Sequence, residues 1–295
     1  MVMEIDPART NSLRPFLSID LGLTPGVLAP RPKASRNLEI APQAAWTCTR
    51  LRDYQQQMRK YSGMSPSSSF PGFPPEAIAF LRAIKRNNRR EWFQPRKHLF
   101  ESQVKAPMVQ LVDALNRNLV KFAADHINDP NQAIYRFYRD TRFSADKSPY
   151  KDHIAAIFPR RGHAKHVSAG FYIGVSQEGV EVAGGIYMPG PPELLAIRTW
   201  LAEHHSEFVK AARGPEKLMG KLHGASLQRV PKGFPADHPA ADLLKMKQWL
   251  YFTVLDVSVA TSPKLVDEVS KRFRAMAPVI ELLNTPLRPA QRPAR

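Results

Sequence analysis

The sequence predicts an α+β fold, in which a single domain has a central antiparallel sheet with separate groups of helices before and after it. Three observations predict this class. Apolar residues recur at helical spacing in residues 74–122, β-branched and aromatic residues dominate short segments of residues 134–188, and helical spacing returns in residues 192–283. Because the strands follow one another without intervening helices, antiparallel pairing is favoured over a parallel sheet built from βαβ units.

Composition divides the chain into three parts. Residues 1–69 carry scattered proline, serine and arginine without a sustained period and end in Ser65-Pro66-Ser67-Ser68-Ser69, so we expect a disordered extension or a start assigned too far upstream, with Met64 as the true start. Residues 285–295 are basic and broken by proline, and we expect a disordered tail. The predicted domain is therefore residues 70–284.

Proline and asparagine mark the ends of the first helix. It is predicted to begin at Pro74-Pro75-Glu76, because proline is favoured in the first helical turn and an acid there interacts well with the helix dipole. It is predicted to end near Asn87-Asn88. Two more helices are predicted to begin near Arg90-Glu91 and Pro107. The first and third of these helices each carry an apolar stripe: Ile78, Leu81 and Ile84, and then Val109, Leu111, Val112, Leu115, Leu119 and Phe122.

The middle of the chain changes to strand patterns. Residues 167–176 and 180–188 are rich in β-branched and aromatic side chains, and Gln177-Glu178-Gly179 between them is typical of a turn, so the pair predicts a hairpin. Residues 134–138, 154–158 and 248–257 predict further strands. The later helices are predicted at residues 192–204, 208–212 and 263–283.

Charge and hydropathy narrow the classes of function. The chain has 43 Lys and Arg against 26 Asp and Glu, a net charge of +17, which attracts nucleic acid, anionic lipid heads or phosphorylated small molecules. No apolar run reaches the roughly 18 residues needed to cross a bilayer, and the first residues lack a secretory signal pattern. The single cysteine, Cys48, excludes a disulfide within one chain. We expect a soluble cytoplasmic protein.

The most unusual stretch runs from Tyr138 to Lys151, directly after a predicted strand. Guanidinium groups bind phosphate or carboxylate through two parallel hydrogen bonds, and lysines add point charges, so this stretch predicts an anion-binding site. Asp140 and Asp146 are candidates for an acid or a charged anchor within it. The candidate anion-binding residues here are Arg139, Arg142, Lys147 and Lys151.

Two other interpretations fit the same stretch. The arginines and aspartates can satisfy one another in a salt-bridge network that only shapes the loop, as in an interaction domain. Alternatively, basic residues interleaved with aromatic ones suit a nucleic-acid-binding module, which combines phosphate contacts with base stacking.

Further candidates lie later in the chain. Gly184 and Gly185 follow a predicted strand, where they would allow either a close backbone approach to a ligand or a bulge. Arg198 is a further candidate anion-binding residue. The sequence contains neither a phosphate-binding P-loop nor a dinucleotide-binding glycine motif, and His163-x-x-His166 is surrounded by cations, so we predict no cofactor and no metal site.

The run Arg139–Lys151 resembles the signature of the family called domain of unknown function 2461. Four other stretches agree with that family in order, and together they span about residues 70–283: residues 87–93, residues 184–189, Ile197-Arg198, and Pro231-Lys232-Gly233-Phe234 with His238-Pro239. Two positions depart from the family pattern, Ala183 and Arg89. The resemblance implies family membership and brings no activity with it.

The sequence thus predicts an α+β domain that binds an anionic, phosphate-bearing small molecule through its basic loop. A nucleic-acid-binding module and an interaction domain with a purely structural charged loop remain the alternatives. No motif assigns a reaction.

Overall fold

The computed structural model of the protein describes residues 70–142, 145–163 and 166–287. The predictions for residues 1–69 and for most of the C-terminal tail lie outside the described residues. The first residues of that tail, Thr285–Leu287, form a 3₁₀ turn that continues the last helix.

The architecture is α+β and confirms the predicted fold class. An N-terminal group of helices precedes a four-stranded antiparallel sheet, and further helices are inserted before its last strand and follow it. The elements are α1 (Pro75–Arg86), α2 (Arg90–Phe93), α3 (Lys97–Leu99), α4 (Ala106–Leu119), α5 (Pro130–Ala133), β1 (His153–Phe158), β2 (Gly170–Ser176), β3 (Val180–Ile186), α6 (Pro191–Met219), α7 (Ala241–Lys245), β4 (Trp249–Leu255), α8 (Val257–Ala260) and α9 (Leu265–Asn284).

The predicted helix boundaries at the N-terminal side are close to those observed. Helix α1 begins at Pro75 and is followed by Asn87, whose backbone N–H bonds the carbonyls of the last turn. Between α3 and α4 the backbone widens into a π-helical segment, Phe100–Lys105, so that the chain from Lys97 to Leu119 bends without a loop.

The strand order in the sheet is the chain order, β1-β2-β3-β4. One register row joins Ile157, Tyr172, Ala183 and Phe252 across all four strands. Because side chains alternate along a strand, these four share one face, and their sequence neighbours point to the other face. The predicted hairpin is confirmed, with its turn at residues 177–179.

The other face of the sheet packs on α9. The Phe171 ring lies 4.8 Å from the Phe273 ring of that helix, and Phe158 is 5.7 Å from it. At the end of α9 the Asn284 side chain accepts a hydrogen bond from the Ala169 N–H (2.9 Å) and donates one to the Ala169 carbonyl (3.0 Å). This pair fixes the end of the helix to the start of β2.

The strand predicted at residues 134–138 is wrong as a regular strand. Its two ends form isolated bridges, Ile134 with Ala156 and Tyr138 with Tyr150. Pro149 has no N–H to donate, so a regular ladder cannot continue past Tyr150. The segment is instead held by its aromatic rings, since Phe137 and Tyr150 both pack against Phe93.

Helix α6 contains both helices predicted at residues 192–204 and 208–212. It spans Pro191–Met219 as two helical segments that meet at a kink, where His204 has non-helical torsion angles (φ −120°, ψ 23°). The kink lies where the two predicted helices were separated, and the second segment continues past the predicted end at residue 212 to Met219. Within the residues that the structure describes, no helix combines the length and apolar character that crossing a membrane requires.

Candidate functional site

Four guanidinium groups line one open concavity next to the predicted loop. We call it the arginine concavity, and it encloses about 920 Å³ including its open mouth. Its lining residues come from α2, from the segment 134–138 that forms the two isolated bridges, and from the loop that follows this segment. Its lining is Arg90, Arg136, Tyr138, Arg139, Asp140, Thr141, Arg142 and Pro149. With one aspartate among four arginines, the lining carries a formal charge of +3 (4 − 1).

The Asn88 side chain connects the start of α2 with the end of the loop that borders this concavity. It donates a hydrogen bond to the Tyr150 carbonyl (2.8 Å) and accepts one from the Tyr150 N–H (3.0 Å). Because α2 begins two residues later, Arg90 is held beside Pro149 at the end of the loop. The bridge between Tyr138 and Tyr150 fixes the other side.

Arg142 is paired with Asp140 on the rim. Its Nε lies 3.0 Å from Oδ1 and its Nη2 lies 2.7 Å from Oδ2, a bidentate arrangement. The hydrogen bonds from Arg142 lower the pKa of Asp140 to about 2. The Arg142 side chain is 76% exposed. The Asp140 carboxyl is therefore ionised at neutral pH, and its bidentate contact orients the Arg142 guanidinium.

Arg139 is more enclosed, with its side chain 15% exposed, and it forms an ion pair with Asp146. Asp146 also accepts a hydrogen bond from the Ser148 N–H (2.9 Å). The pKa of Asp146 is lowered first by its hydrogen bond with the Ser148 side chain and then by this backbone bond. Lys147 donates to the Thr141 carbonyl (2.9 Å), which closes the loop on itself. These contacts shape the loop, as the structural interpretation predicts for part of it.

The other predicted anion-binding residues lie outside the arginine concavity. The Lys151 ammonium lies 5.1 Å from the centre of the Tyr135 ring and is not part of the concavity lining. The Arg198 Nη2 donates to the Met246 carbonyl (2.9 Å) and so ties α6 to the segment before β4. The structure thus brings together Arg139 and Arg142 but not Lys151 and Arg198.

The two candidate glycines are also remote from the arginine concavity, and packing explains both. Gly185 has φ +127°, and a Cβ there would lie 1.9 Å from the Trp249 carbonyl oxygen. A Cβ at Gly184 would lie 2.7 Å from the Met276 sulfur in α9. Close strand and helix approach therefore requires glycine at these positions.

Three lining residues were not singled out from the sequence: Arg90, Arg136 and Tyr138 as an exposed ring. Arg90 lies within the stretch 87–93 that resembles the family pattern, and Arg136 begins the basic run, so both signals were present. Only the fold places Arg90 beside a loop that is about 50 residues away in the chain. Tyr138 is 43% exposed, whereas most of its aromatic neighbours are buried.

The fold and the concavity define an α+β domain with a basic surface site. A family model described as conserved hypothetical protein (DUF2461) matches residues 76–282. The chain belongs to the DUF2461 family. None of the curated proteins and none of the solved structures matched the chain.

Proposed function

We propose that the protein binds a phosphate-bearing small molecule in the arginine concavity. The observation that carries this proposal is the convergence of Arg90, Arg136, Arg139 and Arg142 on one open space. Guanidinium groups match the geometry of phosphate oxygens and keep their charge at every physiological pH.

The ion pair between Arg142 and Asp140 supports ligand binding because it orients the arginine without burying it. Arg142 is mostly exposed while Asp140 holds it, so its guanidinium presents its outer edge to solvent. Exposed ion pairs contribute little to stability, and a doubly charged phosphate competes well with a single carboxylate for the same guanidinium. The lining contains four arginines and one aspartate, and this excess of positive charge favours an anionic ligand over a cationic one.

Tyr138 adds a second contact surface. Its side chain is 43% exposed, and its ring lies 5.2 Å from the Tyr150 ring and 6.3 Å from the Phe93 ring, which fix its position. A fixed aromatic ring beside cations suits a ligand that carries a planar or sugar-like group next to its phosphate.

The nucleic-acid alternative uses the same chemistry at several successive phosphates. It requires a basic surface that continues beyond one concavity, whereas here the four arginines face one space about the size of a small-molecule site. This observation favours the small ligand.

The experiment is isothermal titration with sodium pyrophosphate and, separately, with a thymidine oligonucleotide, at low and at physiological salt. We expect pyrophosphate to bind wild type and to bind Arg136→Ala and Arg142→Ala at least tenfold more weakly. Arg213→Ala, which removes an exposed arginine of α6 outside the lining, is the matched control and leaves binding unchanged.

Two outcomes would overturn the proposal. One is the absence of saturable pyrophosphate binding by wild type, or equal binding by all three variants. The other is oligonucleotide binding at physiological salt that is tighter than pyrophosphate binding, with a log-log salt slope near the −2.8 expected for about four phosphate contacts on a single strand at roughly −0.7 each. That result would favour the nucleic-acid-binding module.

A further inference from the structure

A second cavity lies on the face of the sheet that α9 does not cover, and it is chemically unlike the arginine concavity. It encloses about 640 Å³ of space including its open mouth. Its floor is the register row Ile157, Tyr172, Ala183 and Phe252. The lining contains no lysine or arginine among the described residues, and it is mostly apolar.

At the strand positions next to this row, few side chains project above the sheet. The next register row on one side is Gly170 and Gly185 followed by Leu250, so two of its three positions have no side chain. On the other side, a Cβ at Gly174 would lie 2.7 Å from the Tyr172 hydroxyl and 3.0 Å from Glu181 Oε2. The absence of a side chain at Gly174 lets the Tyr172 ring and the Glu181 carboxyl lie along the sheet.

Glu181 is the carboxyl group of this cavity, and the space at Gly174 allows its burial beside Tyr172. The residue is 9% exposed, and the Tyr172 hydroxyl donates to its Oε2 at 3.1 Å. Burial raises the pKa of the Glu181 carboxyl, while His153 nearby acts in the opposite direction and Asp152 and Glu178 act with burial. A buried carboxyl with one neutral donor destabilises a fold, and such groups cluster at functional sites.

Its second oxygen, Oε1, has no hydrogen-bond donor among the described residues. A ligand group with an N–H or O–H satisfies this oxygen, whether the carboxyl is ionised or shares its proton with Tyr172. An anionic ligand is disfavoured, because it would meet the Glu181 carboxyl and the described lining residues include no lysine or arginine.

An aromatic wall stands over one side of the floor. The Tyr135 and His166 rings are nearly parallel, 6.0 Å apart at 12°, and the Tyr135 hydroxyl lies 3.2 Å from His166 Nε2. His166 has φ +72°, a conformation that is uncommon for residues other than glycine and that is often found at ligand sites. Tyr135 is itself placed 6.4 Å from the Tyr172 ring of the floor.

We infer that this cavity binds an uncharged, planar ring compound, aromatic or heteroaromatic, that donates one hydrogen bond to Glu181. A sheet surface with glycine positions, bordered on one side by the Tyr135 and His166 rings, suits a flat molecule, and the Glu181 acceptor fixes its orientation. This site is separate from the arginine concavity and does not depend on the function proposed for it.

The test uses indole as the probe, with 1-methylindole as the analogue that lacks the N–H, in ligand-observed NMR titrations. We expect wild type to bind indole at least fivefold more tightly than 1-methylindole, and we expect benzoate not to bind. In Glu181→Leu this preference disappears, because the acceptor is gone. In Ala183→Leu both compounds lose binding, because the new side chain fills the floor.

The thermal melt of each variant shows whether it is folded. Phe252→Ala removes a half-buried ring from the floor of the cavity. We expect this variant to bind indole more weakly than wild type, although the cavity is not filled. Arg213→Ala, at an exposed position of α6 outside both linings, is the control and keeps wild-type indole affinity. The inference is overturned by the absence of indole binding at millimolar concentration, by equal indole affinity in wild type and folded Ala183→Leu, or by an indole preference that survives in Glu181→Leu.

Discussion

The side-chain amide of Asn88 pairs with the backbone of Tyr150 as a neighbouring strand residue would, donating to its carbonyl and accepting from its N–H. Asn284 does the same for Ala169 at the other end of the domain. Asparagine is one of the few side chains that carries both a donor and an acceptor at this spacing. The two pairs bind the backbone N–H and carbonyl groups of Tyr150 and Ala169 and so hold these segments in place.

Asn88→Asp is expected to lower the free energy of unfolding by about 1–3 kcal/mol, because the isosteric carboxylate cannot donate to the Tyr150 carbonyl and leaves it without that bond. Urea denaturation of wild type and variant measures the change. Asn131→Asp, at an exposed position near the start of α5, is the control and should shift stability by a few tenths of a kcal/mol at most. Equal losses in the two variants would contradict the role of the Asn88 pair.

The pattern of the sequence was sufficient for the fold class, for the hairpin and for the ends of α1. Periodicity of apolar residues and turn-forming residues determine these features locally, so they can be read from short windows. The strand predicted at residues 134–138 failed because its apolar residues pack as an aromatic cluster around Phe93, which lies 40 residues earlier in the chain. Propensity alone does not distinguish that contact from strand pairing.

The candidate site was predictable only in part. The basic loop was recognisable from its composition, and Arg139 and Arg142 do face one concavity. The second cavity, which Glu181 lines, could not be predicted from the sequence. A single glutamate within an apolar strand has the pattern of an exposed strand position. Its burial depends on register with Gly174 and on the Tyr172 ring, and neither relation can be read from a single sequence.

Acid should destabilise the protein through His126. Its Nδ1 donates to the Phe158 carbonyl at 3.0 Å. Burial, together with Arg160 and His163, lowers its pKa from 6.5 to about 4, against the opposing effects of that hydrogen bond and of Asp125. The unfolded chain takes up this proton near pH 6.5 and the folded chain near pH 4. Stability is therefore complete above pH 6.5 and falls by up to about 3 kcal/mol as the pH drops to 4.

Denaturant midpoints between pH 7 and pH 4 for wild type and His126→Gln check this expectation. The variant keeps a donor for the carbonyl but has no titrating group, so its pH dependence should be shallower than that of wild type over this window. His98→Gln, at an exposed position, should retain the wild-type slope. Parallel curves for wild type and His126→Gln would contradict the assignment.

Glu181 should make stability depend on pH in the opposite direction to His126. Because burial raises its pKa above the ordinary 4.5, the unfolded state loses this proton first as the pH rises. The contribution of Glu181 to stability is thus most favourable below pH 4.5 and declines as the pH rises toward the folded-state pKa. Glu181→Gln should be more stable relative to wild type at pH 7 than at pH 4, measured by chemical denaturation.

Asp237→Asn, at an exposed position of the loop before α7, serves as the comparison and should show no such change with pH. A Glu181→Gln difference that is constant from pH 4 to pH 7 would mean that the carboxyl is as well solvated in the fold as in the unfolded chain.

Gly185→Ala should destabilise the protein more than Gly233→Ala. Both glycines have positive φ, +127° and +97°, so both substitutions introduce backbone strain of about 1–2 kcal/mol. At Gly233 nothing lies within 4 Å of the added Cβ, whereas at Gly185 it meets the Trp249 carbonyl and forces β3 and β4 apart. Thermal melts that place the two variants together would show that the strands tolerate the added methyl group.

The pairing of Asn284 with Ala169 also bears on how the domain forms during synthesis. When the nascent chain has reached Leu255, all four strands are present, but α9 has not yet been made, so the apolar face of the sheet is uncovered. The pair spans 115 residues, and it can close only after the last residue of α9 has emerged. A partly synthesised chain therefore exposes Phe158, Phe171 and their neighbours for the whole time that α9 is being translated, and during this interval chaperones would be its main protection from aggregation.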